Sequence, residues 1–496
     1  MRKPLLALLT AAVAVLLPAP AHAGPSGPVP PYTPSAGLTA TDVTFANGTT
    51  TLHGSVVRRS DLDAADRTPT EPLAAHASAP GGGSREHSPA RHPGIVLVHG
   101  SGDSVRAHLA QEAEVFARAG IVTLIYDKRA DYSRSHRDYS ALADDAIVGV
   151  GVLRGLPDVD PSKVGLWGLS EGGWVAPLAA SRSTDVGFLI TIGGSGLSPA
   201  RTQAWNLINR LGRNGVADPT ARGIVAAGMG LAAGLDQFPE ADHDPVPVLR
   251  AIRQPVLALW GELDMLVPPG ESAEVFRREL TASPSVTVRV LPHAGHAARV
   301  TTDGYDRIGG PTIGGFVMGD LTPGYAELMT TWIGSVTGGA PPASTSDEPA
   351  PQRTATAAVH PVGAVGFGGF AVLLLALLSW PVWAAVRRLR GRRGRPTGAR
   401  PARWLTVTGL IAALTGVGYA IYVVASGGQD VHGAILGQPL LWLIARAATI
   451  AALICAVFVA FGWRTAGRAE RVRLAVVGLG GVLLVPYALS LGLLLP

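Results

Sequence analysis

The 496-residue chain contains one cysteine, Cys455. A single thiol rules out a disulfide framework, and it also rules out the paired-cysteine spacing of zinc or redox sites. Acidic residues are the second shortage, and it is local. From residue 364 onward, 13 arginines face only Asp430 and Glu470. The remainder of the chain holds 28 basic residues against 34 acidic ones, a balance of −6. The net charge of +5 is therefore made by one segment. It gives no reason to propose a nucleic-acid partner. No spacing of histidines and carboxylates suggests a metal site either. His76, His87 and His92 are irregularly placed, and Asp242-His243-Asp244 are adjacent residues that point in divergent directions, so they read as a solvated loop.

What the arginine-rich segment does contain is long apolar runs. Residues 364–386, 404–425, 439–463 and 474–495 are each long enough to cross a bilayer as a helix. The connections between them are lopsided. Residues 387–403 carry eight arginines and no acid, and the third connection carries Arg464, Arg468, Arg471 and Arg473. The intervening loop, 426–437, has only Asp430. The positive-inside bias places the first and third connections in the cytoplasm and residues 24–363 outside. The first 23 residues agree: Arg2 and Lys3, an apolar stretch from Leu5 to Leu17, then Ala21-His22-Ala23. That is the pattern of a signal peptide cut after Ala23, with an apolar core short for a stable span. The chain is expected at the plasma membrane as a multi-pass protein with an exported domain of roughly 300 residues, large enough to bury a core without disulfides. Arg446, near the outer end of the third span, is expected to snorkel to the interface.

The chemistry is carried by Gly168-Leu169-Ser170-Glu171-Gly172-Gly173. It follows the apolar run Val164–Trp167 and precedes a helix-like stretch from Trp174 to Ala180. Strand, tight turn and helix are the setting a G-x-S-x-G nucleophile elbow requires, with Gly168 and Gly172 small enough to let backbones approach. Downstream, the apolar run 255–260 ends in Gly261-Glu262-Leu263-Asp264, and the alternating run 286–291 leads to Pro292-His293-Ala294-Gly295-His296. The order Ser170, Asp264, His296 suits a serine nucleophile, an orienting carboxylate and a histidine base. Glu262 remains an alternative to Asp264, and His293 to His296. Upstream, the strand 94–98 runs into His99-Gly100-Ser101-Gly102, where the backbone N–H of Ser101 joins that of Glu171 as a candidate oxyanion hole. His99 itself reads as a brace for the loop.

The chain resembles the α/β-hydrolases, and within them the bacterial serine esterase and S33-like aminopeptidase branch. The resemblance rests on residues 94–102, 125–129 (Ile-Tyr-Asp-Lys-Arg), 158–180, 259–269 and 291–296, and spans most of 40–337. It implies acyl-enzyme chemistry with Ser170, Asp264 and His296 as the triad. The chain departs from the family at Ala130-Asp131-Tyr132, where a glycine usually follows the Asp-Lys-Arg segment, and in a polar insert at 58–93. Both departures bear on substrate choice rather than on chemistry.

The fold expected is an α/β-hydrolase: a doubly wound, mostly parallel sheet with a helical cap insert, followed by an all-α transmembrane bundle. An Asn47-Gly48 hairpin opens the domain. Residues 58–93 read as a disordered loop, 199–250 as a mostly helical cap, 338–363 as a flexible tether and 364–496 as a four-helix membrane domain. Trp174 reads as core, and Asp127 with Arg129 as a local ion pair. The expected function is cleavage of a small-molecule or lipid-like carboxylic ester without metal or organic cofactor. Acyl transfer, peptide cleavage and an idle sensor domain on a membrane bundle are the alternatives; oligomeric state and substrate stay open.

Overall fold

The computed structural model describes residues 32–65, 91–102, 104–133, 135–348, 359–391, 398–431 and 433–495. The expected signal peptide therefore lies outside the described residues, as do 66–90 of the insert and 349–358 of the tether. Two compact units emerge: one from Ala23–Thr202 and Asp242–Ala355, the other from Gln203–Ala241 and Thr356–Pro496.

The first unit is built on a nine-stranded sheet, the scaffold of an α/β-hydrolase fold. It opens with the hairpin β1 (Leu38–Asn47) and β2 (Thr50–Arg59), where Asn47 pairs with Thr50 and Gly48 turns the chain at φ 58°. Next come the helix α1 (Ser60–Ala65), β3 (His92–Val98), α2 (Ala110–Arg118), β4 (Val122–Tyr126), α3 (Tyr139–Arg154) and β5 (Val159–Leu169). Then follow α4 (Gly172–Arg182), β6 (Leu189–Ile192), α5 (Pro199–Arg213), α6 (Asp218–Gly234), α7 (Pro245–Ala251), β7 (Val256–Gly261), α8 (Pro269–Glu279) and β8 (Val286–Leu291). A short hairpin, β9 (Thr312–Ile313) with β10 (Phe316–Val317), precedes α9 (Tyr325–Thr337) and the edge strand β11 (Thr345–Ser346). The spatial order is β1-β2-β4-β3-β5-β6-β7-β8-β11. Pairing is antiparallel from β1 through β2 to β4 and parallel from β4 onward.

The central strands are unbroken apolar runs because helices cover both faces and leave neither in water. Alternate residues feed opposite layers. Val96, Leu124, Leu166 and Trp260 face one way with Val150 and Val175 of α3 and α4. Ile95, Leu97, Trp167 and Ile190 face the other, with Phe116 of α2 and Trp332 of α9. Strand order reverses between β3 and its neighbours β4 and β5, so the carboxyl ends of β3 and β5 open a crevice there.

Three expectations need amendment. The insert is shorter than 58–93: β2 runs to Arg59, α1 follows, and β3 begins at His92, whose N–H donates to Asp158 O at 2.8 Å. The tether starts later than 338. Ser344 Oγ accepts from Val286 N at 3.0 Å and Asp347 Oδ2 from Val290 N at 3.1 Å. Those short polar side chains satisfy donors on β8 and draw Thr345–Ser346 in as the ninth strand. The stretch read as a cap is divided. α7 belongs to the sheet unit, whereas 203–241 belongs to the unit that holds the apolar helices.

That second unit contains four helices long and apolar enough to cross a membrane: α10 (Ala364–Leu389), α11 (Ala399–Ala425), α12 (Leu440–Thr465) and α13 (Arg468–Ser490). Small residues let their backbones close up, as is common where lipid supplies no hydrophobic drive between helices. A Cβ on Gly481 of α13 would lie 2.6 Å from the Ala456 Cβ of α12, and one on Gly409 of α11 would lie 3.0 Å from Leu377 of α10. The same device seats α6 on α11, since a Cβ on Gly228 would fall 2.4 Å from Ala420 O. A cap was expected at 199–250 by analogy with hydrolase inserts that precede the acid-bearing strand; the small residues of α6 lie against α11 of the same unit. Arg446 of α12 is held by Gln438 Oε1 at 2.9 Å and by Leu493 O at 3.2 Å.

Candidate active site

Ser170 lies one residue beyond the end of β5, with φ 56°. An L-residue pays roughly 1–3 kcal/mol for that left-handed backbone, so surrounding contacts must impose it. They are glycine contacts. A Cβ on Gly168 would sit 2.1 Å from Gly172 O, and one on Gly172 would sit 2.6 Å from Val98 O. A Cβ on Gly173 would sit 2.3 Å from Gly194 Cα. The turn is closed by Gly173 N donating to Ser170 O at 2.7 Å, and Ser170 N donates to Ile192 O at 2.9 Å. α4 begins two residues after the serine and directs its free N–H groups and positive dipole end toward it.

His296 and Asp264 are brought together. His296 Nδ1 lies 2.8 Å from Asp264 Oδ2, with Asp264 buried. Asp264 Oδ1 accepts from Leu266 N at 2.9 Å and Val267 N at 3.0 Å, which fixes the carboxylate before it meets the ring. Glu262 is occupied elsewhere: its Oε2 accepts from His293 N at 3.1 Å, and His293 is exposed. Gly193 joins the three positions. Its left-handed backbone, φ 59°, follows Ile192, the partner of Ser170 N, and its Cα hydrogen faces His296. A Cβ there would lie 2.8 Å from His296 Cε1 and 3.3 Å from Asp264 Oδ2.

The loop after β3 approaches the serine from the other side. A Cβ on Gly100 would lie 3.4 Å from the Ser170 Cβ, which places the Gly100–Ser101 peptide beside the nucleophile position. His99 is buried, with Nε2 2.6 Å from Tyr126 O. That contact makes Nε2 the protonated donor to the carbonyl. Burial, with the Lys128 charge adding to it, holds the His99 pKa down to about 3. The bracing role read from the sequence is the one the contacts describe.

Residues 127–137 supply what the sequence reading missed. The expected Asp127–Arg129 pair does not form. Asp127 Oδ1 accepts from Arg106 N at 2.8 Å, while Arg129 pairs with Asp131 at 2.8 Å and approaches the buried Asp145 at 3.9 Å. Asp127 and Arg129 thus take separate partners. Lys128, between them, points inward. Its Nζ donates to Gly100 O at 2.6 Å and to Glu171 Oε1 at 2.8 Å, and lies 3.8 Å from the centre of the Tyr132 ring. Glu171, read for its amide alone, has a buried carboxylate that also accepts from Tyr132 OH at 2.9 Å and pairs with Arg137 at 2.7 Å. Burial works against the Arg137 charge, yet Glu171, Tyr139 and Tyr132 together outweigh it, so its pKa lies above the usual value. Burial and then the Glu171 charge push the Tyr132 phenol up to about 12, which keeps it a donor at any physiological pH. The only trace of this cluster in the sequence is an acid directly after the serine in an apolar setting. Tyr132 and Arg137 sit in irregular backbone, where periodicity carries no signal. Trp174 is core, stacked on Tyr139 at 5.8 Å, and His243 packs edge-on to the same ring at 5.1 Å.

Residues 95–307 match the model of the alpha/beta hydrolase family. The nine-stranded, mostly parallel sheet of the first unit has the corresponding fold. Among relatives, a thiohydrolase named aneE from Aspergillus aculeatus is 32% identical over 105 residues, 20% of this chain and 33% of that protein. A quorum-quenching protein, AidA, from Acinetobacter baumannii is 33% identical over 86 residues, 16% of this chain and 28% of that one. The chain thus spans about a third or less of the length of these relatives. A solved esterase from Pyrococcus furiosus is 15% identical, covering 56% of this chain and 91% of that one, with a TM-score of 0.36.

Two outcomes follow from this geometry. Gly193→Ala should displace the His296 ring and lower the rate at which Ser170 reacts with a fluorophosphonate by about 10- to 100-fold, given the cost of misplacing a base. An unchanged rate in a folded variant would contradict the placement of His296. The second outcome concerns pH. His99 stays neutral in the folded chain well below 6.5, whereas the unfolded chain takes up a proton there, so stability is full above pH 6.5 and falls as pH drops toward 3. Between pH 6.5 and 4.5 this amounts to about 2–3 kcal/mol. Thermal unfolding of the full chain in detergent should show a smaller fall in Tm over that window for His99→Gln than for the wild type; equal falls would contradict it.

Proposed function

We propose that the chain is a membrane-anchored serine hydrolase that cleaves carboxylic esters on the outer side of the plasma membrane. The observation that carries this reading is the His296–Asp264 hydrogen bond of 2.8 Å beside a serine held at φ 56°. Ser170 Oγ attacks the ester carbonyl while His296 Nε2 takes its proton. Asp264 orients the ring and stabilises its charged form. The N–H groups of Ser101 and Glu171 receive the developing oxyanion, helped by the N-terminal end of α4. The protonated His296 then gives its proton to the departing alkoxide, leaving an acyl group on Ser170. Water, deprotonated by the same histidine, attacks that acyl group, and the acid leaves as Ser170 regains its proton.

Esters are favoured over peptides because nothing in the sequence marks a site for a peptide's charged amino terminus. The arginine-rich connections after α10 and between α12 and α13 support an orientation with the catalytic unit outside. An apolar, lipid-like ester delivered from the bilayer suits an enzyme anchored by four helices.

A fluorophosphonate probe applied to the full-length protein in detergent tests the reading. One equivalent should label the wild type, none should label Ser170→Ala, and His296→Ala should react at least about 1,000-fold more slowly, by analogy with the loss of a triad base. Labelling that persists in Ser170→Ala, or a folded wild type that stays unlabelled, would overturn the proposal.

A further inference from the structure

The peptide between Gly100 and Ser101 has two ends, and both matter. Its carbonyl belongs to Gly100 and its N–H to Ser101, and in a planar trans peptide the two point in opposite directions. Whatever fixes Gly100 O therefore aims Ser101 N–H. Lys128 Nζ does this at 2.6 Å. A cation on a carbonyl oxygen also draws charge through the amide and strengthens the N–H as a donor, as in any chain of polarised hydrogen bonds. The same ammonium reaches Glu171 Oε1 at 2.8 Å, and Glu171 supplies the other N–H of the proposed oxyanion hole. One side chain, 5% exposed, thus ties together the two segments that must converge on a single oxygen atom. Tyr132 reinforces the link, since its hydroxyl accepts from Gly102 N at 3.3 Å and donates to Glu171.

A simpler role for Lys128 would be to neutralise the buried Glu171 carboxylate. Arg137, at 2.7 Å from Oε2, and the Tyr132 hydroxyl already serve that carboxylate. The bond from Lys128 to Gly100 O contributes nothing to that neutralisation. We propose that Lys128 is a positioning residue for transition-state stabilisation, holding the Gly100–Ser101 peptide so that Ser101 N–H and Glu171 N–H face the same oxyanion. The inference rests on the serine-hydrolase reading and deepens it.

The two roles separate in a double substitution. If Lys128 only balances Glu171, Lys128→Met leaves a buried charge short of a partner, and adding Glu171→Gln removes the fault and restores activity. If it aims the Ser101 amide, the double variant stays impaired. The test uses the full-length protein in detergent, with p-nitrophenyl butyrate turnover and the fluorophosphonate labelling rate as readouts. The wild type, Glu171→Gln, Lys128→Met and Lys128→Met/Glu171→Gln are compared, with thermal unfolding recorded for each. Because Arg137 loses its carboxylate in Glu171→Gln too, that single variant sets the level that counts as restored. The expected result is a kcat lowered about 10- to 100-fold in both variants that carry Lys128→Met, of the order of losing an oxyanion-hole donor. KM should change less than about threefold, and the pH dependence of kcat/KM should keep its shape. Should Lys128→Met fail to fold, the double variant, which lacks the Glu171 carboxylate, carries the test against Glu171→Gln. Restoration of kcat in a folded double variant, or an unchanged kcat in Lys128→Met, would overturn the inference while leaving the hydrolase reading intact. A wild type inert to both probes would remove that reading and this inference with it.

Discussion

Left-handed backbone at Ser170 is the constraint on which the rest of the catalytic unit depends. A serine at φ 56° is unfavourable on its own, and it persists because three glycines let backbone segments approach where any side chain would collide. Gly168 faces the start of α4, Gly172 faces the end of β3, and Gly173 faces Gly194 after β6. The second and third contacts come from the ends of β3 and β6, so the turn is imposed by the convergence of β3, β5 and β6 at one edge of the sheet. The parallel sheet supplies that convergence, and its two-sided apolar packing makes it rigid. Gly193, one position from Gly194, then meets His296, so one small loop registers both Ser170 and His296.

Buried charge is the second organising feature. Glu171 is nearly inaccessible, and an isolated carboxylate there would be prohibitive. Lys128, Arg137 and Tyr132 answer it from the loop that follows β4, which ties that loop to the head of α4. A comparable arrangement backs the histidine. Arg299, three residues beyond His296, is buried and paired with Glu112 and Gln111 of α2, which anchors a loop whose Ala297 and Ala298 also take left-handed backbone at φ 63° and 53°. The reactive residues sit on strained turns, and buried ionic contacts hold those turns from behind.

The strands and helices of the sheet unit were legible in the sequence because their signals are local. Apolar runs such as 95–98 and 256–260 can only be covered strands, and Asn47-Gly48 between alternating segments can only be a tight hairpin. The serine turn was legible for the same reason, and the small residues before His296 pointed to the histidine that the fold brings against Asp264. What sequence could not show is pairing between residues far apart and without period. Lys128 with Glu171, Arg299 with Glu112, and Asp127 with Arg106 are all contacts of this kind. Proximity in the chain even misled, since Asp127 and Arg129 each take a partner other than one another. The partners of 203–241 were not legible, because amphipathic helices look alike whatever they pack against. Only the glycines of α6 distinguish the cases, and their meaning depends on α11 being opposite.

The central claim is that Ser170 carries the acyl group between two chemical steps. Intact-mass measurement of the full-length protein, acid-quenched within milliseconds of mixing with excess p-nitrophenyl butyrate, reads that state directly. The account predicts a protein species heavier by one butyryl group, mapped by peptide mass to the segment containing Ser170 and absent from Ser170→Ala. Steady release of p-nitrophenol with no acylated protein, and with undiminished turnover by Ser170→Ala, would contradict it.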